Sequence, residues 1–515
     1  MTAAPAPTAR TELRTLPAAL AHWALVQPEA PALAHGGEQL AYRELAAMVD
    51  DLAGRLGRAG LVRGERLALA GSNTVEWVVC FLAGLRLGAV VVPLNRRLSP
   101  LELGRQIDLC RPRLIAAGEP ERALLAHAGT TGSHPTLALE RDAGTESIWR
   151  LPRGEVDARL SGSTPALISF TSGTTGAPKG AVITHDALVR SASSFVPHLE
   201  TSEADSTLVA VPLFHNTGFA DQLTQMLLVG GAVDLLGEFG TAAALDVLAE
   251  RPASYLIAVP SIFRLLMLHE RGDEAFRHCR VAVYGGAPMP TAWIEELARR
   301  WPSLRLFNCY GLTEFTSVSH LLTPEFARSH ADSVGRPVHG VRQRIVDEHG
   351  RTLPSAEIGE IELAGPTRMR GYWEAEAATQ EVFRGEWLRT GDVGEIDGDG
   401  FLVLRGRAAD VINRGGEKVH AAQVEDALSG LPGVVEAAVV GAPHPIFQES
   451  VVACVVVRAG HELDEEAARA HLAERVPDYA IPERFEVVDE LPRNAAGKLD
   501  RPRIQAAVTG SAVGP

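Results

Sequence analysis

From Leu16 to Leu125 the apolar residues recur in two alternating patterns. Tyr42 to Leu56 carries them at helical spacing, and Arg66-Leu67-Ala68-Leu69-Ala70 is a short apolar run that reads as a strand. Thr74 to Leu87 returns to the helical period, and Ala89-Val90-Val91-Val92 is the next strand. Helices alternating with short apolar strands predict an α/β chain. Between Gly129 and Thr164 the periodicity fades while Gly, Ser, Thr and Pro gather, which predicts a connector. Ala166-Leu167-Ile168 and Ala181-Val182-Ile183 then predict two strands that bracket a loop. Thr184 is placed to cap a helix beginning near Asp186, whose carboxylate suits the positive end of a helix dipole.

Three later apolar runs each end in polar residues or glycines. Leu208-Val209-Ala210-Val211 is ended by Pro212 and delivers Leu213-Phe214-His215-Asn216-Thr217-Gly218. Val281-Ala282-Val283-Tyr284 runs into Gly285-Gly286-Ala287-Pro288, and Leu306-Phe307-Asn308-Cys309 into Tyr310-Gly311-Leu312-Thr313-Glu314. Open α/β sheets bind ligands beyond the carboxyl ends of their strands, so three such junctions predict one cleft. Tyr310 can stack on a flat base, Asn308 can bond a base edge, and Glu314 can hold a metal ion on a phosphate.

The bracketed loop, Ser169-Phe170-Thr171-Ser172-Gly173-Thr174-Thr175-Gly176-Ala177-Pro178-Lys179-Gly180, has the composition of a phosphate cradle. Its glycines allow close backbone approach, its hydroxyls donate hydrogen bonds, and Lys179 adds a mobile point charge. It is not the phosphate loop of P-loop NTPases. Only two residues separate Gly173 from Gly176, and Gly180 stands where a magnesium-binding hydroxyl would follow the lysine.

The chain has 515 residues, which predicts two or more domains. Its net charge of −15 disfavours a general binder of nucleic acid or anionic membrane, so any anion site must be local. The five cysteines are scattered and free of any C-x-x-C spacing, as expected of reduced core thiols in a cytoplasmic protein. Residues 1–12 read as a disordered tail. The most apolar run, Val78 to Leu94, is broken by Arg86, Gly88 and Pro93 and predicts a buried helix and strand in place of a membrane span.

With these motifs in order, the sequence resembles the adenylate-forming superfamily of acyl-CoA synthetases, firefly luciferase and nonribosomal-peptide adenylation domains. The resemblance runs from about Leu16 to Arg503. It rests on Thr171–Gly180, Pro212–Gly218, Tyr310–Glu314, Gly359-Glu360-Ile361, Arg389-Thr390-Gly391-Asp392, Gly406-Arg407 with Gly415-Gly416-Glu417, and Asn494–Lys498. It implies an N-terminal domain over 13–405, made of two α/β subdomains and a distorted β-barrel. A hinge over 406–410 would join it to a small, mobile α+β domain over 411–515.

The resemblance also implies roles. Thr171, Ser172, Gly173, Thr174, Thr175, Gly176 and Lys179 would hold the β- and γ-phosphates of ATP. Asn308 and Tyr310 would meet adenine, Thr313 the α-phosphate, Glu314 the Mg²⁺, and Asp392 and Arg407 the ribose. Lys498 would be the catalytic lysine, and His215 a gate beside the acyl carboxylate. Phe219, Gly285, Gly286, Ala287 and Cys309, with His215, would line the acyl pocket, and Gly415, Gly416 and Glu417 a tunnel for CoA. The mixture of small and aromatic residues suggests an apolar acid, with a bulky cyclic or aromatic one as the finer expectation.

One position departs from the pattern. Family members usually carry Asp or Lys two residues after the hinge arginine, and here that residue is Ala409. Thioester formation with CoA on this chain therefore stands beside an alternative, adenylation followed by transfer to a separate thiolation partner or carrier protein. The oligomeric state is left open, a homodimer among the alternatives.

Overall fold

The computed structural model describes residues 13–128, 134–156, 159–171, 178–287, 289–407, 410–414, 417–445, 448–473, 475–494 and 497–510. The chain divides into two compact units. The larger comprises Met1–Arg342 and Ala364–Leu388, the smaller Gln343–Leu363 and Arg389–Pro515. This division by packing is discontinuous, whereas the sequence-based boundary kept 343–363 and 389–405 in the N-terminal domain. Those stretches carry the strands Gly359–Ala364, Trp387–Ile396 and Leu402–Arg407, which belong with Arg342–Val346 to one five-stranded sheet.

Two sheets build the larger unit. In the first, of six strands, Arg66–Ala70 lies between Val90–Pro93 and Leu114–Ala117, all parallel. Helix Val75–Leu87 begins where Thr74 accepts a hydrogen bond from the Trp77 amide, and it ends at Gly88, whose φ of 79° is left-handed. Nearly every residue of that helix is buried, which accounts for its apolar run without a membrane. Among the described residues no helix is long and apolar enough to cross one. The stretch expected to be a plain connector contributes a short strand, Thr136–Ala138, parallel to Leu114–Ala117. Three residues are too few to show a period.

The predicted pair around the Gly/Thr loop is an antiparallel hairpin, Pro165–Phe170 with Gly180–Thr184. Its free edge is covered by residues 370–373: the Val182 and Trp373 amides donate to Gly371 and Gly180 carbonyls at 2.9 and 2.7 Å. Helix His185–Leu199 follows, with Thr184 as its cap.

The second sheet has nine strands. Arg305–Gly311, Val281–Gly285, Tyr255–Ala258, Ser206–Val209, Ala232–Leu235 and Pro31–His35 lie side by side in parallel. Parallel strands end on the same side, so the three junctions singled out in the sequence open along one edge. The strand expected to run to Val211 stops at Val209. Beyond it, Thr217–Thr224 is π-helical and continues as the α-helix Gln225–Val229.

In the smaller unit, Val434–His444 pairs antiparallel with Gln448–Val457. Alternate residues serve two cores: Val439, Val451, Ala453 and Val455 pack with Val424, Leu428 and Leu472, while Val440, Val452 and Cys454 pack with Leu491, Ile504 and Val508. A sheet buried on both faces suits the Val-rich run.

Phe81 is fully buried in the larger unit, its ring 5.3 Å from Trp77 and 5.9 Å from Phe219. Phe81→Ala is expected to destabilise this unit by about 3–5 kcal/mol, read as a lowered urea midpoint.

Candidate active site

The Gly/Thr loop leaves its hairpin through a neck closed by the Thr171 amide, which donates to the Lys179 carbonyl at 3.0 Å. Ser172, Gly173, Thr174, Thr175 and Gly176 lie outside the described residues. Lys179 places its Nζ 5.5 Å from the centre of the Tyr372 ring, and the Tyr372 hydroxyl donates to Glu314 Oε1 at 2.9 Å. A cation from the hairpin and a carboxylate from the other sheet's edge thus meet on one aromatic side chain.

Glu314 lies in a single helical turn, Thr313–Phe315, at the exit of strand Arg305–Gly311. The turn is held from several sides. The Met369 amide donates to the Glu314 carbonyl, and Thr316, buried at a left-handed φ of 68°, donates from Oγ1 to the Thr367 carbonyl at 2.6 Å. Gly311 is required here, because a Cβ would stand 1.8 Å from the Ser317 carbonyl oxygen. Asn308 sits on the same strand and donates to the Ser333 carbonyl at 3.3 Å, while the Tyr310 ring lies 5.7 Å from that of His320.

His215 and Asn216 leave the second sheet at the neighbouring junction. The Gly218 and Phe219 amides donate to the His215 carbonyl, which fixes the backbone where the π-helical stretch begins. Asn216 accepts from Ser169 Oγ at 2.8 Å and donates to the Thr316 carbonyl. It joins the hairpin to the turn that carries Glu314. Phe219 is fully buried, Cys309 half-buried, and Gly286 and Ala287 are exposed. Gly285 lies against Cys309, whose Sγ would be 2.4 Å from a Cβ there.

Sequence reasoning missed Tyr372 and Asp221. Nothing in the residues around Tyr372 marks it, because its role comes from covering the hairpin edge. Asp221 did carry a signal, as the one ionisable residue in the otherwise uncharged run Phe219–Val229. Its Oδ2 accepts from Ser317 Oγ at 2.6 Å, and burial pushes its carboxyl up to about 8. Burial likewise raises the thiols of Cys80, Cys110 and Cys279 to about 12, in keeping with core cysteines.

The remaining predicted residues belong to the smaller unit. Asp392 is buried opposite Arg407 in the pairing of Trp387–Ile396 with Leu402–Arg407. Lys498 is exposed on a tight turn, where its amide donates to Asn494 Oδ1 at 3.1 Å and its carbonyl accepts from the Asn494 amide. Ala409, Gly415 and Gly416 lie outside the described residues, as does the side chain of Glu417.

Among the described residues no group of three or more His, Cys, Asp or Glu side chains gathers to hold a metal. A single carboxylate such as Glu314 suits Mg²⁺, which takes the rest of its shell from phosphate oxygens and water.

A lysine from the hairpin and one metal-suited carboxylate from the end of a parallel strand thus come together on an α/β framework. Comparison with known proteins makes this specific. Residues 20–373 match the model of the AMP-binding enzyme family and residues 423–498 that of the AMP-binding enzyme C-terminal domain. The chain belongs to this family, the adenylate-forming acid–thiol ligases. It is 33% identical to a feruloyl-CoA synthase of Amycolatopsis sp. over 92% of this chain and 95% of the relative. It is 31% identical to a fatty acid–[acyl-carrier-protein] ligase of Streptomyces coeruleorubidus over 95% and 96%. The o-succinylbenzoate CoA synthetase of Bacillus subtilis, solved with its acyl-adenylate, superposes with a TM-score of 0.85 at 29% identity, covering 95% of this chain and 97% of that one.

The buried Asp221 predicts a pH dependence. Its folded value of about 8 stands above the ordinary 3.8, so the folded state holds the proton more tightly than the unfolded state. Its contribution to stability is complete below about pH 4 and is lost as pH rises towards 8. Asp221→Asn should therefore gain stability relative to wild type progressively between pH 4 and 8, measured by urea unfolding across that range.

Proposed function

We propose that this enzyme uses ATP to activate an apolar carboxylic acid. The acid's carboxylate attacks the α-phosphorus, forming acyl-AMP and releasing pyrophosphate. A thiol sulfur then attacks the acyl carbonyl, giving a thioester and AMP. The observation that carries this reading is the meeting of Lys179 and Glu314 on Tyr372, which brings a phosphate-binding cation beside a metal-suited carboxylate.

In this reading Thr171, Lys179 and the loop between them grip the departing pyrophosphate. Asn308 and Tyr310 receive adenine, Thr313 the α-phosphate, and Asp392 and Arg407 the ribose hydroxyls. Glu314 would hold the Mg²⁺ that travels with ATP, whose charge offsets that of the phosphates. Tyr372 holds the Glu314 carboxylate in place. Lys498 offsets the negative charge that builds on the α-phosphate oxygens, and the turn locked by Asn494 and Gly497 fixes its backbone. His215 stands beside the acyl carboxylate.

A bulky cyclic or aromatic acid fits the small residues Gly285, Gly286, Ala287 and Cys309, and the feruloyl and succinylbenzoate groups in the names of two similar proteins favour it. CoA is the leading thiol. Transfer to a carrier protein is the second reading, favoured by Ala409 at the hinge and by the carrier-protein ligase among the similar proteins.

A panel of fatty, aryl and alicyclic acids, scored separately for AMP ester and CoA ester, tests the reading. Lys498→Ala should slow acid-dependent pyrophosphate exchange by about 10² to 10³-fold, by analogy with losing one oxyanion donor. Near-normal exchange in that variant would remove Lys498 from the mechanism. Ala409→Asp should raise thioester yield if the hinge limits the second step. High yield in wild type, unchanged by the substitution, would discard that limit.

A further inference from the structure

Asp221 is only 2% exposed, and its two carboxyl oxygens are used unequally. Oδ2 is held by Ser317, three residues beyond Glu314, while Oδ1 is buried without a hydrogen-bond partner among the described residues. Buried polar atoms usually find a partner, and an unmet carboxyl oxygen costs more than the unmet amide oxygens of Gln222 and Gln225 beside it.

Its surroundings point to the acyl group. Asp221 lies on the π-helical stretch that begins after His215 and includes Phe219, and single π turns cluster at functional sites. Asp221 stands near the Cys309 thiol, and the Tyr255 hydroxyl donates to its backbone carbonyl at 3.0 Å. Cys309 in turn lies against Gly285, where only a missing side chain permits the approach. Asp221 thus stands near Cys309, one of the residues assigned to the acyl pocket, on an element whose first residues follow His215. At neutral pH its carboxyl keeps its proton, so Oδ1 can donate or accept.

We infer that Asp221 is a specificity-determining residue: its Oδ1 bonds a hydroxyl group carried by the acid at the end remote from its carboxylate. A hydroxyl matches a neutral carboxyl in either direction. An ammonium group would require the buried carboxyl to ionise, at the cost of desolvating a charge. The inference rests on the proposal that His215, Phe219, Gly285 and Cys309 line the acyl pocket.

The test compares matched acids in pyrophosphate exchange: para-hydroxyphenylpropanoate against phenylpropanoate, and hydroxycyclohexanecarboxylate against cyclohexanecarboxylate, with an amino-substituted member in each set. Wild type should favour the hydroxylated member of at least one pair by about 10- to 100-fold in kcat/KM. Asp221→Leu should bring that ratio down to about one, while Asp221→Asn, which still donates and accepts, should keep most of it. A purely structural Asp221 would lower both members of a pair equally and leave the ratio unchanged. The inference is overturned by a wild-type ratio near one in both pairs, by a ratio that survives Asp221→Leu, or by preference for the amino member. If Asp221→Leu fails to fold, the wild-type ratio and that of Asp221→Asn still decide, since loss of the preference in Asn contradicts the hydrogen bond. Exchange without hydroxyl preference sinks this inference alone, whereas no exchange with any acid sinks the proposed activity as well.

Discussion

Asn216 is the joint on which the candidate site depends. Its side-chain oxygen takes the Ser169 hydroxyl from the hairpin, and its amide nitrogen gives to the Thr316 carbonyl beside the Glu314 turn. The hairpin and the turn belong to different sheets, which also meet through Phe81 and Phe219 and through Asn73, bonded to Val211 and Leu213. A side-chain amide has one accepting and one donating end, so a single residue can bridge a hydroxyl and a carbonyl. Valine or leucine of similar bulk would fill the space and leave both partners unmet. Tyr372 makes a second tie of the same kind, from the strand edge to Glu314.

These polar links explain how rigid layers can carry groups to ångström tolerance on short loops. Strands Ser206–Val209, Val281–Gly285 and Arg305–Gly311 end together because they run parallel, which is enough to bring their loops to one side. It is not enough to aim Glu314. That direction comes from the left-handed Thr316, from Gly311 pressed against Ser317, and from the Met369 amide. Local strain of this sort persists only where surrounding bonds overdetermine it.

Much of this was legible in the chain, because the clearest signals are local. The Gly/Thr loop, the capped helix after Thr184 and the strand Arg66–Ala70 follow from nearest-neighbour patterns, and the structure has the strand at the same limits. Tyr372 was not legible, since its value comes from a partner far along the chain and it sits in no periodic run. Thr136–Ala138 escaped because it is too short to show a period. Asp221 left a trace, an ionisable residue within an otherwise uncharged run, but a trace of that kind acquires meaning only once Ser317 and the unmet oxygen are seen together.

The discontinuous division of the chain has a consequence for how such an enzyme can be taken apart. The backbone passes between the two units three times, after Arg342, after Leu363 and after Leu388. A single cut can therefore never separate them cleanly: one placed at 405 would leave strands Gly359–Ala364 and Trp387–Ile396 on one fragment and part of their sheet on the other. Exchange of whole units between relatives would need several crossovers to keep each sheet intact. Substitution at single positions, by contrast, leaves both units and every sheet whole.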